Sequence, residues 1–365
     1  IEKSYDSVLS GKNGKQKYYT NAKQKIISKP IEVVKTIQGQ DIQLTIDSTI
    51  QFYAYKYLVE AITNNKAKAG TVLVFDNKSG EILAIASYPS YNPNNPKREI
   101  QKNRALIEAY ELGSVLKPIV FSKAIDKKIF SPDAHIEIPR RLELGNTIIT
   151  DPKIYEKLTP KEIVAYSSQV GASKIALKLG YEELKNNYYS FGFTKPISIN
   201  FPSAAFGLMN AKETVSDREL ASLGYGYGLK VSPFQLTAAY STFANNGIRK
   251  EFKLLMNDEV TSQRVISESS ARHTLEALQK VVKIGTGKKA DIFGFTEGGK
   301  TGTVHRTVSG AGYADDLYRA SFVGITPLSE DSLTIFVSIE DPGLNAYSGG
   351  MIAAPLFAKI AESSL

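Results

Sequence analysis

The alternation of apolar and polar positions indicates strands at both ends of the chain and helices between them. Near the start, two apolar, β-rich runs at 71–75 and 81–87 flank Asn77-Lys78-Ser79-Gly80, a sequence typical of a hairpin turn. Three further strand-like runs lie near the end, at 301–304, 320–325 and 333–339. Strand groups separated in this way predict an α+β fold whose antiparallel sheet joins the two ends of the chain.

Helical spacing of apolar residues predicts the remaining elements. Apolar residues recur on one helical face from Ile50 to Ile62, after Asp47 and Ser48, either of which can cap a helix. Thr159-Pro160-Lys161-Glu162 is a capping box with proline at the first helical position. A last helix is predicted over 352–361. The block from about 98 to 285 therefore reads as a mainly helical insert that separates the two strand groups.

The composition is that of a globular protein large enough to bury a stable core without disulfide bonds or structural metal ions. The chain has 365 residues, of which 42% are hydrophobic and 22% charged, and this length allows roughly two domains. It contains no cysteine, which excludes disulfides, thiolate metal sites and cysteine nucleophiles. Its three histidines, His135, His273 and His305, lie far apart without HExxH spacing, so we expect no metal site.

Residues 1–40 form a basic leader. They carry eight lysines against three acidic residues, a net charge of +5 out of +8 for the whole chain. Such a segment can contact nucleic acid or an anionic membrane, or can be a solvated leader. No run reaches the roughly 18 apolar residues that a membrane span needs, and the chain begins at Ile1 without a signal-like opening. We therefore expect a soluble piece of a longer protein, from which any anchor has been removed.

The most informative residues are Ser114 and Lys117, an SxxK motif. Residues three apart on a helix share a face, one turn from each other. Pro118 is tolerated only near a helix start because it lacks an N–H, and Gly113 suits a turn. These residues place Ser114 at a helix N-terminus, where free N–H groups and the helix dipole favour a developing oxyanion. Lys117 can act as a base only when neutral, which requires burial or a nearby positive charge.

Two later segments offer complementary groups. Ser167 and Gln169, an SxQ motif, present a hydroxyl and an amide between two predicted helices. Lys300-Thr301-Gly302-Thr303, a KTGT motif, lies in a predicted strand. The segment 294–301 also satisfies the phosphate-loop pattern GxxxxGK[ST]. A phosphate loop must open a helix, however, and a glycine among β-branched residues is a poor helix start, so the nucleotide-binding interpretation is rejected.

The order of the three motifs limits the functions that the chain can have. SxxK, then SxQ about 50 residues later, then KTGT about 130 residues further on is the serine set typical of penicillin-binding proteins and class A β-lactamases. Through these motifs, and through Gly80–Ala84, Tyr225–Leu229 and Ala353–Phe357, the chain resembles the class B penicillin-binding proteins, most closely the cell-division (FtsI-like) transpeptidases. The resemblance implies a penicillin-recognising serine transpeptidase fold over 41–365, with 1–40 as the remnant of an N-terminal pedestal.

The resemblance also implies a reaction: peptidoglycan D,D-transpeptidation, which cross-links stem peptides at the division septum without a cofactor. Ser114 would be the nucleophile, Lys117 its base and Ser167 a proton relay to the leaving nitrogen. Lys300 would attract the substrate carboxylate and help to keep Lys117 neutral. Substrate binding would involve Gln169, Thr301, Gly302 and Thr303, and the backbone N–H groups of Ser114 and Thr303 would form the oxyanion hole.

By the same resemblance, the partners would be D-Ala-D-Ala stem peptides, β-lactam antibiotics, a division glycan polymerase and other divisome proteins, and not nucleic acid. The catalytic part would lie in the periplasm, held to the bacterial inner membrane by a missing N-terminal anchor. The family usually has asparagine where this chain has Gln169. The alternatives are a β-lactamase, for which no water-activating base is identified, an acylated sensor domain, and a non-catalytic penicillin-binding scaffold motivated by Gln169.

Overall fold

Helices and strands of this chain fall largely where the apolar pattern predicts them. The structure, a computed structural model, describes residues 1–92, 94, 102–197, 199–209, 212–308, 312–343 and 346–365. The α-helices of these residues are α1 (Asp6–Leu9), α2 (Ser48–Asn64), α3 (Arg104–Ile107), α4 (Lys117–Asp126), α5 (Pro160–Tyr166), α6 (Gln169–Leu179), α7 (Tyr181–Ser190), α8 (Asp217–Gly224), α9 (Pro233–Ala244), α10 (Glu268–Lys283) and α11 (Ala354–Glu362). The strands are β1 (Lys15–Lys17), β2 (Ile31–Val34), β3 (Ala69–Asp76), β4 (Ile82–Tyr88), β5 (Tyr110–Glu111), β6 (Ile136–Glu137), β7 (Leu142–Leu144), β8 (Thr147–Ile149), β9 (Lys157–Leu158), β10 (Leu208–Met209), β11 (Leu229–Val231), β12 (Ile248–Lys250), β13 (Ser262–Arg264), β14 (Gly298–Val308), β15 (Gly312–Thr326) and β16 (Leu333–Glu340).

One five-stranded sheet joins the two ends of the chain. Its order is β14-β15-β16-β3-β4, with every neighbouring pair antiparallel. The predicted hairpin and the three predicted C-terminal strands are all members of this sheet, which confirms the α+β prediction. Strand β14 is at one edge, so its outer side is the side on which an extended peptide can add as a further strand.

Alternate residues of the central strand belong to two different cores. All eight residues of β16 are buried. Ile335 and Val337 pack with Leu58 of α2 and Phe357 of α11 on one face of the sheet. Phe336, on the other face, packs with the helical insert. Because side chains alternate along a strand, this two-faced burial fixes the register of the sheet and places the insert on the face opposite α2 and α11.

The helix caps predicted from sequence are present. The Asp47 carboxylate accepts hydrogen bonds from the Thr49 and Ile50 N–H groups at 2.8 and 2.9 Å, and so begins α2. Thr159 and Glu162 cap α5 reciprocally. The predicted last helix is also present, but a π-helical turn at Gly349–Ala353 precedes α11. The insert contains short ribbons, such as β7 with β8, besides its helices.

The basic leader contains an exposed two-stranded ribbon. Strands β1 and β2 pair antiparallel, and all their residues are exposed. Among the described residues, no helix is both long enough and apolar enough to cross a membrane.

Candidate active site

Ser114 lies in a 3₁₀ turn, Gly113–Leu116, directly before α4. An α-helical bond to the Ser114 carbonyl would need an N–H at position 118, which is proline. The Lys117 N–H bonds that carbonyl instead, and this closes the tighter turn. Gly113 has φ of 62°, which glycine adopts without steric cost. The predicted position of Ser114 at a helix start is therefore confirmed, with a 3₁₀ first turn.

The Ser114 turn is packed closely on β14. A Cβ atom on Gly113 would come within 2.5 Å of a Val304 methyl group. A Cβ atom on Gly302 would lie 3.0 Å from the Leu112 carbonyl oxygen and 2.4 Å from the Ser321 hydroxyl. These glycines let the SxxK motif lie directly against the KTGT strand.

Lys117 is buried, with only 2% of its surface exposed. Its Nζ donates hydrogen bonds to the Ser167 carbonyl oxygen at 2.5 Å and to the Ser167 Oγ at 3.1 Å. Burial lowers the pKa of Lys117 to about 7, and the Asp151 carboxylate opposes this shift. A lysine with this pKa is neutral in a large fraction of molecules near neutral pH, as a general base requires.

Ser167 is held in an unusual conformation. It ends α5 in the left-handed region, with φ of 60° and ψ of 35°. Glycine would adopt this conformation with less strain, but it would supply no hydroxyl. The conformation turns both the carbonyl and the hydroxyl of Ser167 toward Lys117.

Asp151 is a site residue that the sequence analysis missed. Its carboxylate accepts hydrogen bonds from the Ser168 Oγ and the Gln169 N–H, both at 2.5 Å. Ser168 in turn caps α6 by accepting the Gly171 N–H at 2.8 Å. Asp151 therefore fixes the turn that carries the SxQ motif. The contact joins residues 17 positions apart, with β9 and α5 between them, and no capping spacing signals it.

Asp151→Asn is expected to loosen this turn. The amide oxygen can still accept one N–H, but the NH₂ group cannot accept from Ser168, so the free energy of unfolding should fall by about 1–2 kcal/mol. Loss of the carboxylate also removes the effect that raises the Lys117 pKa. The pH midpoint of Lys117 ionisation should therefore move below that of the parent protein.

Urea unfolding and an NMR titration of the Lys117 amine measure both effects. Asp331→Asn, a change of an exposed aspartate paired with Lys78, is the matched control. An Asp151→Asn protein with the parent's stability and pH midpoint would show that Asp151 does not position the turn.

Lys300 is fully buried on β14. Its Nζ donates to the Thr301 carbonyl oxygen at 3.1 Å, and lies 3.4 Å from the Thr301 Oγ1. Burial, and then the nearby Lys117 ammonium, lower the pKa of Lys300 well below its ordinary value. For Lys117 itself, burial is the leading cause of the lowered pKa. The Lys117 ammonium therefore opposes protonation of Lys300.

The contacts bring the three motifs together. The SxxK motif touches the SxQ motif through Lys117 and Ser167, and packs on the KTGT motif at Gly302. Thr303 Oγ1 accepts the Gly349 N–H at 3.0 Å, and this connects the strand to the turn before α11. Gln169 is the first residue of α6, with its side chain exposed.

The described part of the chain contains no group of three or more histidine, aspartate or glutamate side chains placed to hold a metal ion. The chemistry that the site offers is that of a half-buried serine hydroxyl, a buried lysine with a lowered pKa and a second serine hydroxyl. Such a set can carry out acyl transfer through a covalent serine ester.

Comparison with known protein families gives two matches. The family described as "Penicillin binding protein transpeptidase domain" matches residues 70–362, and "Penicillin-binding Protein dimerisation domain" matches residues 1–44.

Peptidoglycan D,D-transpeptidase FtsI of Buchnera aphidicola subsp. Baizongia pistaciae is 33% identical over the whole chain, which spans 65% of that protein. The Escherichia coli FtsI is 32% identical over 99% of the chain, which spans 62% of that protein.

Among solved structures, the transpeptidase domain of Burkholderia pseudomallei penicillin-binding protein 3 is similar to this chain. The TM-score is 0.81 at 34% identity, over 88% of this chain and 95% of that one. The chain spans less than two thirds of the length of either FtsI relative.

Proposed function

Because the chain belongs to the penicillin-binding protein transpeptidase family, we propose that it is a peptidoglycan D,D-transpeptidase of the division septum, acting through a Ser114 acyl-enzyme. One observation carries the proposal: Lys117, one turn after Ser114, is buried, has a pKa of about 7 and contacts the Ser167 hydroxyl. A lysine base needs a pKa lowered in this way, because only its neutral form can take the proton of a serine nucleophile.

In the acylation step, the Ser114 Oγ attacks the carbonyl carbon of the penultimate D-alanine while neutral Lys117 takes the hydroxyl proton. The C–N bond then breaks. The Ser167 hydroxyl, 3.1 Å from the Lys117 Nζ, passes a proton to the leaving nitrogen and is reprotonated from the lysine. The terminal D-alanine leaves as an amine, and the remaining peptide is an ester of Ser114.

Substrate recognition would use the KTGT motif. Lys300, when protonated, and the hydroxyls of Thr301 and Thr303 would bind the terminal carboxylate. Gly302 would allow the peptide to lie close along the edge of β14. The backbone N–H groups of Ser114 and Thr303 would bind the oxyanion, each contributing about 3 kcal/mol to transition-state stabilisation.

In the second step, an amine of a neighbouring stem peptide attacks the ester, gives up a proton to the lysine, and releases Ser114 with its proton restored. A β-lactam would acylate Ser114 in the same way. Its leaving nitrogen stays tethered by the opened ring, so the adduct would persist.

Gln169 would serve as the amide of the substrate-binding set in place of the usual asparagine. Its side chain is exposed, and its backbone N–H is fixed by Asp151. The longer side chain keeps both the donor and the acceptor groups of the amide. The glutamine at position 169 is therefore compatible with transpeptidase activity and does not favour the non-catalytic scaffold.

Residues 1–40, within the dimerisation-domain match, would be part of the pedestal that joins the periplasmic transpeptidase domain (41–365) to an inner-membrane anchor. The exposed basic ribbon suits contact with that pedestal or with the membrane side of a complex. A division glycan polymerase and other divisome proteins would bind the whole protein.

Intact mass spectrometry after mixing with benzylpenicillin tests the proposal. We expect a stable adduct of one drug mass, together with cross-linked product when a stem-peptide donor and an acceptor amine are supplied. An adduct that decays quickly, with release of hydrolysed drug, would indicate a β-lactamase instead. Absence of any adduct at saturating drug would indicate a non-catalytic scaffold.

A further inference from the structure

The turn Gly285-Thr286-Gly287 touches two of the three motif-bearing elements. The Thr286 N–H donates to the Ala165 carbonyl oxygen at 3.2 Å, two residues before Ser167. The Thr286 Oγ1 lies 2.7 Å from the Thr301 Oγ1 of the KTGT motif. Thr286 therefore joins the end of α5 to strand β14.

Close packing holds this turn in place. A Cβ atom on Gly285 would lie 2.2 Å from the Ala165 carbonyl oxygen, so only glycine fits there without a shift. A Cβ atom on Gly350 would lie 2.4 Å from the Thr286 carbonyl oxygen. With backbone pressed against it on both sides, Thr286 has little freedom to move away from Thr301.

The direction of the hydrogen bond between the Thr286 and Thr301 hydroxyls decides whether Thr301 can donate a hydrogen bond to the substrate. A hydroxyl donates one hydrogen bond and accepts up to two. If Thr301 donates to Thr286, its only proton is used, and it presents lone pairs to an incoming carboxylate. If Thr286 donates, Thr301 keeps its proton for that carboxylate. Lys300 Nζ, 3.4 Å from the Thr301 Oγ1, donates to one of its lone pairs. Because a carboxylate only accepts, donation by Thr286 to the second lone pair is the arrangement that leaves the Thr301 proton for the substrate.

We propose that Thr286 is a positioning residue, whose hydroxyl donates to Thr301 and so directs the Thr301 proton toward the substrate's terminal carboxylate. This inference rests on the proposed function, since it needs a carboxylate-bearing acyl donor on the KTGT strand. It adds to the site a residue that lies outside all three motifs and 14 positions before Lys300 in the chain.

The test compares acylation by benzylpenicillin and by its methyl ester in the Thr286→Val protein, which keeps the side-chain shape and lacks the hydroxyl. We expect the rate constant for the acid to fall about tenfold, the effect of one hydrogen bond to a charged group, and that for the ester to be unchanged. Thr286→Ser should restore the parent's preference for the acid. Thr63→Val, which removes an exposed threonine hydroxyl bonded to the Val59 carbonyl, is the matched control.

A double-mutant cycle then separates positioning from direct contact. In a Thr301→Val background, Thr286→Val should have no further effect, because its partner hydroxyl is gone. A second tenfold fall there, or an equal fall for acid and ester, would overturn the inference. If penicillin does not acylate the parent protein, the proposed function itself is overturned. If the parent is acylated and the Thr286→Val protein reacts with the acid at the parent's rate, only the positioning role is overturned.

Discussion

Ser114→Ala is expected to form no covalent adduct with benzylpenicillin, while the parent protein gains one drug mass. Alanine removes the oxygen that forms the ester, and loss of the nucleophile in a serine enzyme costs on the order of 10⁶ in rate. The Ser114 hydroxyl makes no hydrogen bond within the described part of the chain. The variant should therefore keep the parent's free energy of unfolding to within about 0.5 kcal/mol. Intact mass over time, with thermal unfolding beside it, measures both.

Ser122→Ala is the matched control for this experiment. Ser122 is a buried serine on α4, the helix that follows the Ser114 turn, and its hydroxyl donates to the Ile119 carbonyl. We expect its adduct to form as in the parent. An adduct that forms on Ser114→Ala at the parent's rate would assign the nucleophile to another residue, and peptide mapping of the adduct would identify it.

Local rules account for the parts of the fold that the sequence predicts. The capping box at Thr159 and the hairpin turn at 77–80 depend on neighbours in the chain, and both are present. Local rules also decide how the phosphate-loop pattern at 294–301 folds. Strand β14 begins at Gly298, where a phosphate loop would begin a helix. The rejection of a phosphate loop, made because strand-forming residues follow the pattern, is therefore confirmed.

Contacts between distant segments account for the parts that the sequence does not predict. Asp151 and Thr286 lie in loops and contact motif residues 17 and 15 positions away in the chain, spacings that no local rule signals. The left-handed backbone of Ser167 is imposed by its surroundings, because serine has no intrinsic preference for it. The motifs thus identify the reacting groups, whereas the residues that hold them depend on tertiary packing.

The rate of β-lactam acylation is expected to rise with pH through a midpoint near 7. Lys117 must be neutral to take the Ser114 proton, and burial lowers its pKa to about 7. The neutral fraction of a single group with that pKa rises about tenfold from pH 6 to pH 8 and then levels off. Acylation rate constants measured from pH 5 to pH 9 under subsaturating drug report this ionisation in the free protein.

Lys117→Met shows whether that ionisation belongs to Lys117. Methionine is apolar and fills a similar volume, so it should lower the acylation rate by about 10³ without leaving a buried charge. The residual rate should lose its midpoint near 7. Lys127→Met, which replaces an exposed lysine at the C-cap of the same helix, should keep the parent's profile. If the parent's midpoint lay above 9, Lys117 would be an ammonium at neutral pH. It would then stabilise charge in the site, and the proton of Ser114 would have to go to another base.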